Sequence, residues 1–420
     1  MPLARGRVVE LDTQPMRRRE FLWVSGAMAS SLFLTYCGAS DDGVAPLPSG
    51  SPLPNGLRFT PLLQAGDSLP GGGQVGSFNG YAMIVGTRVY FGAHDALGIP
   101  GVYAGDVTSG ADAPVLANVV KVVRVGDVLG DGKTVTKFSH GEVAEDGSFA
   151  AILTDEYGLP AVYRANPGLG LTRIVGAGDI LGSEPQVRLG AQSLCLALDG
   201  PDLLLVTTYG IGSQRPQQGL FHFPSSVNDG QSRRIVATGQ MSPGATTLIT
   251  KIGLVDFANG RFVLESGIAG TTTGAPELME GTPASAPRID ADGRLGQVLL
   301  GESSQHAMML GGVMVATSGD PSPSGESVHE HFFPPILAPN GLAYCLTRCQ
   351  HMTTGVKRWE FMVTNGTSRG HLLTFGDSVG GMTIDQVTGG AFSSQASATG
   401  RLIMTGSVNG KATLLTAAPV

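Results

Sequence analysis

The chain has 420 residues with 62 Gly and 26 Pro; hydrophobic residues reach 42% and charged residues only 15%. That is enough apolar material for a sizeable core and argues against disorder. The formal charge is −7. Beyond the first 37 residues no Lys/Arg cluster exists for a phosphate backbone to bind, so nucleic acid is excluded as a partner. Abundant Gly with few charges predicts an all-β protein of short strands and tight turns.

Residues 1–37 hold five Arg and open the chain with an export signal. Arg18-Arg19-Glu20-Phe21-Leu22 resembles the twin-arginine signal, whose core is Arg-Arg-x-Phe-Leu. The uncharged run Phe21–Tyr36 is short for a spanning helix and fits the apolar part of a removable leader. Leu34-Thr35-Tyr36-Cys37 is similar to a lipoprotein box with a bulky Tyr before the Cys. Lipidation at Cys37 and cleavage after Ala39 are the competing readings. Residues 38–56 have no periodicity and many breakers, and read as a flexible tether. The expected localisation is the periplasm or cell surface, with membrane contact only through the signal or a lipid on Cys37.

Residues 57–420 carry one pattern seven times. A turn Gly precedes an apolar strand at Gly86, Gly147, Gly200, Gly260, Gly293, Gly341 and Gly400. In five copies that Gly follows Asp or Asn, a dipeptide suited to the positive φ of a hairpin turn. A second landmark, an apolar strand ending in Gly-Asp, recurs at Asp67, Asp127, Asp179, Asp320 and Asp377, with Gln240 as a variant and Gly281 as a trace. A third is a short aromatic or apolar strand: Val102-Tyr103, Val162-Tyr163, Leu220-Phe221 and Glu360-Phe361-Met362. Four strands in about 40–50 residues make a propeller blade. The expected fold is therefore a β-propeller of seven four-stranded blades. Its ring should close when the N-terminal strand, residues 57–63, joins the last blade as the outer strand. Between Gly260 and Gly293 the spacing is short, and one or two strands should be missing there.

These residues resemble the tandem-repeat family of exported bacterial proteins named for an Asn-x-x-Gly-x-x-Ala-Phe motif. The likeness includes the turn Gly66-Asp67-Ser68-Leu69-Pro70-Gly71. The motif is degenerate, with Ala144 and Ala338 at Asn positions and Ala151, Leu264 and Cys345 at Phe positions. The resemblance implies repeats on a surface anchor and carries over no catalytic residues.

The densest group of metal-ligating types is His329, His331, Cys345, Cys349 and His351. His329-Glu330-His331 alternates, which in a regular strand puts both imidazoles on one face. The spacing matches no zinc signature, so exposed His and buried Cys are the plainer reading. A Cys345–Cys349 disulfide needs a turn between the two, because four extended residues span about 13 Å. Asp290 with Asp292, and Asp127 with Asp131, lack the oxygen positions of a calcium loop. No nucleophile elbow or phosphate loop occurs, and no motif implies a cofactor. The reading is a non-catalytic propeller presenting loops to an envelope protein, peptide or glycan. The alternatives are a metal-dependent hydrolase using the channel, which should gather Asp, Glu or His from at least three blades, and a structural envelope component.

Overall fold

Seven antiparallel sheets follow one another along the chain. The computed structural model describes residues 52–420 apart from 72, 111–112, 166–169, 213–214, 245–246, 280, 302–304, 393–395 and 398–399. Arg18, Arg19, Phe21, Leu22 and Cys37 lie outside the described residues. Blade 1 consists of Gly73–Val85, Arg88–Asp95, Pro100–Ser109 and Pro114–Arg124 in spatial order. Blades 2 to 7 repeat this order, starting from Lys137–Val143, Glu184–Asp199, Val255–Ala258, Thr282–Pro283 with Arg288–Ile289, Ser327–Phe332 with Ile336–Leu337, and Met382–Phe392.

These first strands contact one another in succession from blade 1 to blade 6, and that of blade 7 packs on that of blade 1. Ala396 N–H donates to Leu337 O at 3.0 Å and joins blades 7 and 6. The sheets thus form a closed seven-bladed β-propeller with the first strands innermost. Leu57–Gln64 pairs antiparallel with Lys411–Pro419 and supplies the outermost strand of blade 7. Asn55 N–H donates to Val420 O at 3.0 Å, and Leu53 packs on the core between blades 6 and 7. The ring therefore takes in residues that read as tether in the sequence. Pairing Leu57–Gln64 with Lys411–Pro419 ties the first and last parts of the ring together in one sheet.

The short junction is resolved differently from the expectation. No strand of blade 4 is missing: Val255–Ala258, Arg261–Leu264, Ile268–Thr271 and Glu277–Leu278 form its sheet. Strands of two to four residues are enough because neighbouring blades supply the burial. Apolar clusters lie between blades, as with Val89, Phe91 and Tyr103 of blade 1 against Ile403 and Leu414 of blade 7. Between blades 4 and 5 the buried apolar cluster shrinks to Ala258, Val263 and Ile289. Polar pins stand beside it: Ile289 N–H donates to Asp256 Oδ2 at 2.7 Å, and Asn259 Nδ2 donates to Ala291 O at 3.1 Å.

Both glycine landmarks have structural roles. The seven turn glycines between first and second strands all have positive φ, from 50° at Gly200 to 84° at Gly341. These turns also join the blades: Tyr90 hydroxyl donates to Gly147 O at 2.7 Å, and Gly260 N–H donates to Asp199 Oδ2 at 2.6 Å. In the Gly-Asp turns the Gly N–H donates to the next first strand or to the segment leading into it, as Gly178 to Leu189 O and Gly126 to Val135 O, both at 2.8 Å. The Asp carboxylate turns back to accept the N–H three residues earlier, Asp127 Oδ2 from Arg124 at 2.8 Å. Asp67, Asp179 and Asp320 do the same at 2.7–2.8 Å, and Gln240 Oε1 reproduces the bond at 2.9 Å. Gly126 has φ of 93° and open space where a Cβ would stand. Gly126→Ala should therefore cost only the conformational term, about 1–2 kcal/mol, read as a shift of the urea midpoint at constant slope.

Candidate functional site

Blade 6 departs from its sisters at several buried positions at once. The residue whose carbonyl accepts the Gly-Asp turn N–H is Val75, Val135, Leu189, Ile249 and Ile384 elsewhere, and His329 in blade 6. In the third landmark, Glu360 occupies the place of Gly101, Ala161 and Gly219. Two residues past the Gly-Asp pair, Ser322 replaces Leu69, Leu129 and Leu181. His329, Glu360, Ser322 and Cys349 are all buried.

Together they form one network. Thr347 hydroxyl donates to His331 O at 3.0 Å, so it accepts from His329 Nδ1–H, also at 3.0 Å. Cys349 Sγ lies 3.4 Å from the same nitrogen. Glu360 accepts from Ser322, from Ser324 Oγ at 3.3 Å and from the Cys349 thiol. Burial pushes His329 down to about 4 and the Cys349 thiol up to about 12. Both are neutral at pH 7. An inert thiol and a shielded imidazole make a polar core rather than a nucleophile pair.

The expected ligand set does not converge. A bulge sets His329 opposite Cys349 but His331 opposite Arg348, so the two imidazoles do not share a face. His331 packs instead on His306, with ring centroids 4.3 Å apart. Cys345 Sγ donates to Phe333 O at 3.3 Å. His351 Nδ1 accepts from Thr353 and Thr354 N–H at 3.2 Å. Cys345 and Cys349 sit in one continuous strand, Ala343–His351, and both are free thiols. Among the described residues no three His, Cys, Asp or Glu converge as metal ligands. The acidic pairs are also occupied: Asp290 holds Arg294 at 2.9 Å, Asp127 holds Lys121 at 2.7 Å, and Asp131 accepts from Tyr163 hydroxyl at 2.9 Å.

The innermost strands carry polar side chains that the sequence did not suggest. Tyr81 stands on blade 1, His140 and Glu142 on blade 2, Asp256 on blade 4 and Arg288 on blade 5. His140 Nε2–H donates to Leu196 O of blade 3 at 3.1 Å, and Arg288 Nη1 lies 3.7 Å from Asp256 Oδ1. Burial pushes His140 down to about 4, assisted by the charge of Arg288. Burial also raises the Asp256 carboxyl. Polar residues on innermost strands carry no periodic signal, which is why this group was not legible beforehand.

The two faces of the ring differ in exposed apolar surface. One face carries the Gly-Asp turns and the loops between second and third strands. Of the 19 large hydrophobic side chains exposed among the described residues, 11 lie at this face: Leu97, Val128, Tyr157, Leu159, Ile180, Met241, Leu248, Leu254, Leu300, Met352 and Val356. By the same measure the opposite face carries six, Val227 and Val420 with Val115, Leu278, Val313 and Met314 beside its third-to-fourth turns, and Val120 and Trp359 lie on strands.

Two of the loops are built alike, Asp95-Ala-Leu-Gly-Ile-Pro100 and Asp155-Glu-Tyr-Gly-Leu-Pro160. Asp95 Oδ1 accepts Leu97 and Ile99 N–H, and Asp155 Oδ1 accepts Tyr157 and Leu159 N–H, each at 2.9 Å. Gly98 and Gly158 complete the loops with φ of 77° and 78°. The carboxylate and the glycine hold each loop rigid while Leu97 stays 83% and Tyr157 68% exposed. This doubled motif was visible in the sequence and could have revealed the face. Beside the first loop lies a cavity of about 610 Å³, lined by Leu69, Leu97, Asp95, Tyr103, Lys121 and Arg124 among others.

No protein-family model and no curated protein matches the chain. Among solved structures it is similar to the acylaminoacyl peptidase of Pyrococcus horikoshii, at 9% identity and a TM-score of 0.45 over 79% of this chain and 49% of that one. The chain thus spans about half the length of that enzyme. It is also similar to the propeller domain of the trilobed protease from Pyrococcus furiosus, of open velcro topology (10% identity, TM-score 0.33, 81% and 82% of the two chains). A third is the sialidase of Trypanosoma rangeli (10%, TM-score 0.37, 87% and 60%). The propeller assignment rests on this chain's own strand pairing.

Proposed function

We propose that the protein is an exported, non-catalytic propeller of the Asn-x-x-Gly-x-x-Ala-Phe repeat type, which binds a protein or peptide at the cell envelope through its Gly-Asp face. The twin-arginine-like segment at Arg18 and Arg19 supports export. The observation that carries the binding role is the concentration of exposed apolar side chains on that face, with Leu97 and Tyr157 held out by rigid loops. Pre-organised apolar anchors lose little entropy on docking, which is what makes such residues dominate an interface.

The rival reading, a hydrolase working in the channel, draws on His140, Glu142 and Asp256, which come from two blades and fall short of the three that such a site should gather from. It lacks a metal-ligand set among the described residues. A structural envelope component would use the same export route without needing one distinctive face.

The test is an epitope-tagged chain in its native cells carrying Leu97→Ser with Tyr157→Ser, beside an Arg18→Lys, Arg19→Lys export control. The export control should stay inside the cell. The loop variant should be exported and folded, yet lose its high-mass complex on native gels by at least about tenfold. Unchanged export of the Lys pair would overturn the export route, and an unchanged complex would overturn the binding face.

A further inference from the structure

Blades 1 and 2 share one register at their Gly-Asp ends. Gly66 N–H donates to Val75 O as Gly126 N–H does to Val135 O, each at 2.8 Å. The two turns are equal in length, so Gly71 stands where blade 2 has Asp131. Farther out, Tyr103 pairs with Lys121 as Tyr163 pairs with Arg173.

In blade 2 the Asp131 carboxylate joins these parts. It accepts from the Tyr163 hydroxyl at 2.9 Å and lies 3.9 Å from Arg173 Nε. Arg173 takes this second carboxylate while Nη1 holds Asp179 at 2.9 Å. Blade 1 repeats the tyrosine and the cation, with Lys121 Nζ on Asp127 at 2.7 Å. At the place of Asp131 it has a glycine, which brings no carboxylate.

Gly71, Tyr103 and Lys121, the three counterparts, all line the cavity beside Leu97. Tyr103 is only 1% exposed, as Tyr163 is only 3%, yet it borders this cavity. Its hydroxyl makes no hydrogen bond among the described residues. The remaining charges correspond in the two blades. Arg124 is paired with Asp95, as Lys133 is with Asp155 at 3.5 Å. Asp67 is turned back onto Gln64 N–H at 2.7 Å. Asp131 is thus a carboxylate beyond the ion pairs of blade 2, and blade 1 has no counterpart to it.

We infer that the blade 1 cavity binds a carboxylate of a peptide, in the place that Asp131 fills in blade 2. The Tyr103 hydroxyl donates to it, and the Lys121 ammonium faces it as Arg173 faces Asp131. Leu69, Pro70 and Leu97 give the adjoining residue an apolar wall. An apolar-walled cavity with a few placed polar groups is what fixes the orientation of a small ligand. Resting on the Gly-Asp face as a peptide-binding surface, this site adds which chemical group of the partner is read.

Saturation-transfer NMR on the purified full chain tests this with acetylated tripeptides. Ala-Ala-Leu with a free C-terminus offers a terminal carboxylate, and Ala-Glu-Leu amide a side-chain one. Ala-Ala-Leu amide and Ala-Gln-Leu amide are their neutral counterparts. At least one acid should bind about tenfold more tightly than its counterpart, and which one does so identifies the source. Tyr103→Phe should remove most of that preference without lowering the melting temperature, since the hydroxyl has no bond to lose. Lys121→Gln should reduce it as well. Acids that bind no better than their counterparts, no binding by either acid, or a preference unchanged in Tyr103→Phe would overturn the inference. The face itself is judged separately, by the native complex of the chain with Leu97→Ser and Tyr157→Ser.

Discussion

Acidification from pH 7 to pH 4 should cost the protein about 3 kcal/mol through His329 alone. An unfolded imidazole takes up its proton near 6.5, whereas the buried His329 does so only at about 4. Between these values the unfolded chain binds more protons than the folded one, so stability falls as pH falls through the window. Above 6.5 the contribution is fully present. His140 adds to the same slope in the same direction, less its share of solvent screening. His329→Val installs the residue that blades 1 and 2 carry at the equivalent position. Its urea midpoint should hold at pH 7 and fall less than that of the parent at pH 4.5. Parallel losses in parent and variant would show that His329 is not the acid-sensitive group. The network then has no evident purpose in folding, since five sister positions are aliphatic and burying polar groups carries a desolvation cost.

Removing the Arg294 side chain should have a comparable effect at pH 7. Its guanidinium is buried, with Nε donating to Asp290 Oδ2 at 2.9 Å and Nη2 to Ala338 O at 2.9 Å. The second bond crosses from blade 5 to blade 6. Arg294→Met leaves the Asp290 carboxylate buried without its partner and cuts that tie between the blades. Losing one member of a buried pair costs about 3–5 kcal/mol. Chemical denaturation should show this as a lower midpoint. Asp290→Asn in the same chain should recover part of the loss, because the stranded charge is gone. A single variant within about 0.5 kcal/mol of the parent would mean the tie is dispensable.

The parts of the fold that were legible follow local rules. Asp or Asn before Gly marks a turn whatever surrounds it, and the Gly-Asp turns are held by a carboxylate three residues from its own N–H donor. Both therefore survive as sequence patterns. Closure by Leu57–Gln64 was legible because residues 57–63 and 412–416 are complementary parts of one repeat. Blade 4 was not, since strands as short as Glu277–Leu278 have no periodicity and exist only through their neighbours. The blade 6 site failed for a related reason: His329 and His331 obey alternation on paper, but the bulge between them is set by pairing with Ala343–His351. Glu360 was noted only as part of a landmark. Its significance lay in standing where the other copies have Gly or Ala.

Site-specific photo-crosslinking in the native envelope tests the central claim most directly. A photoreactive residue would replace Leu97, Tyr157 or Met352 on the Gly-Asp face, and Val227 on the opposite face as control. The expected result is one discrete protein adduct shared by the first three positions and absent from Val227. Adducts equally strong at Val227, or none from any of the Gly-Asp face positions, would contradict the assignment of that face as the binding surface.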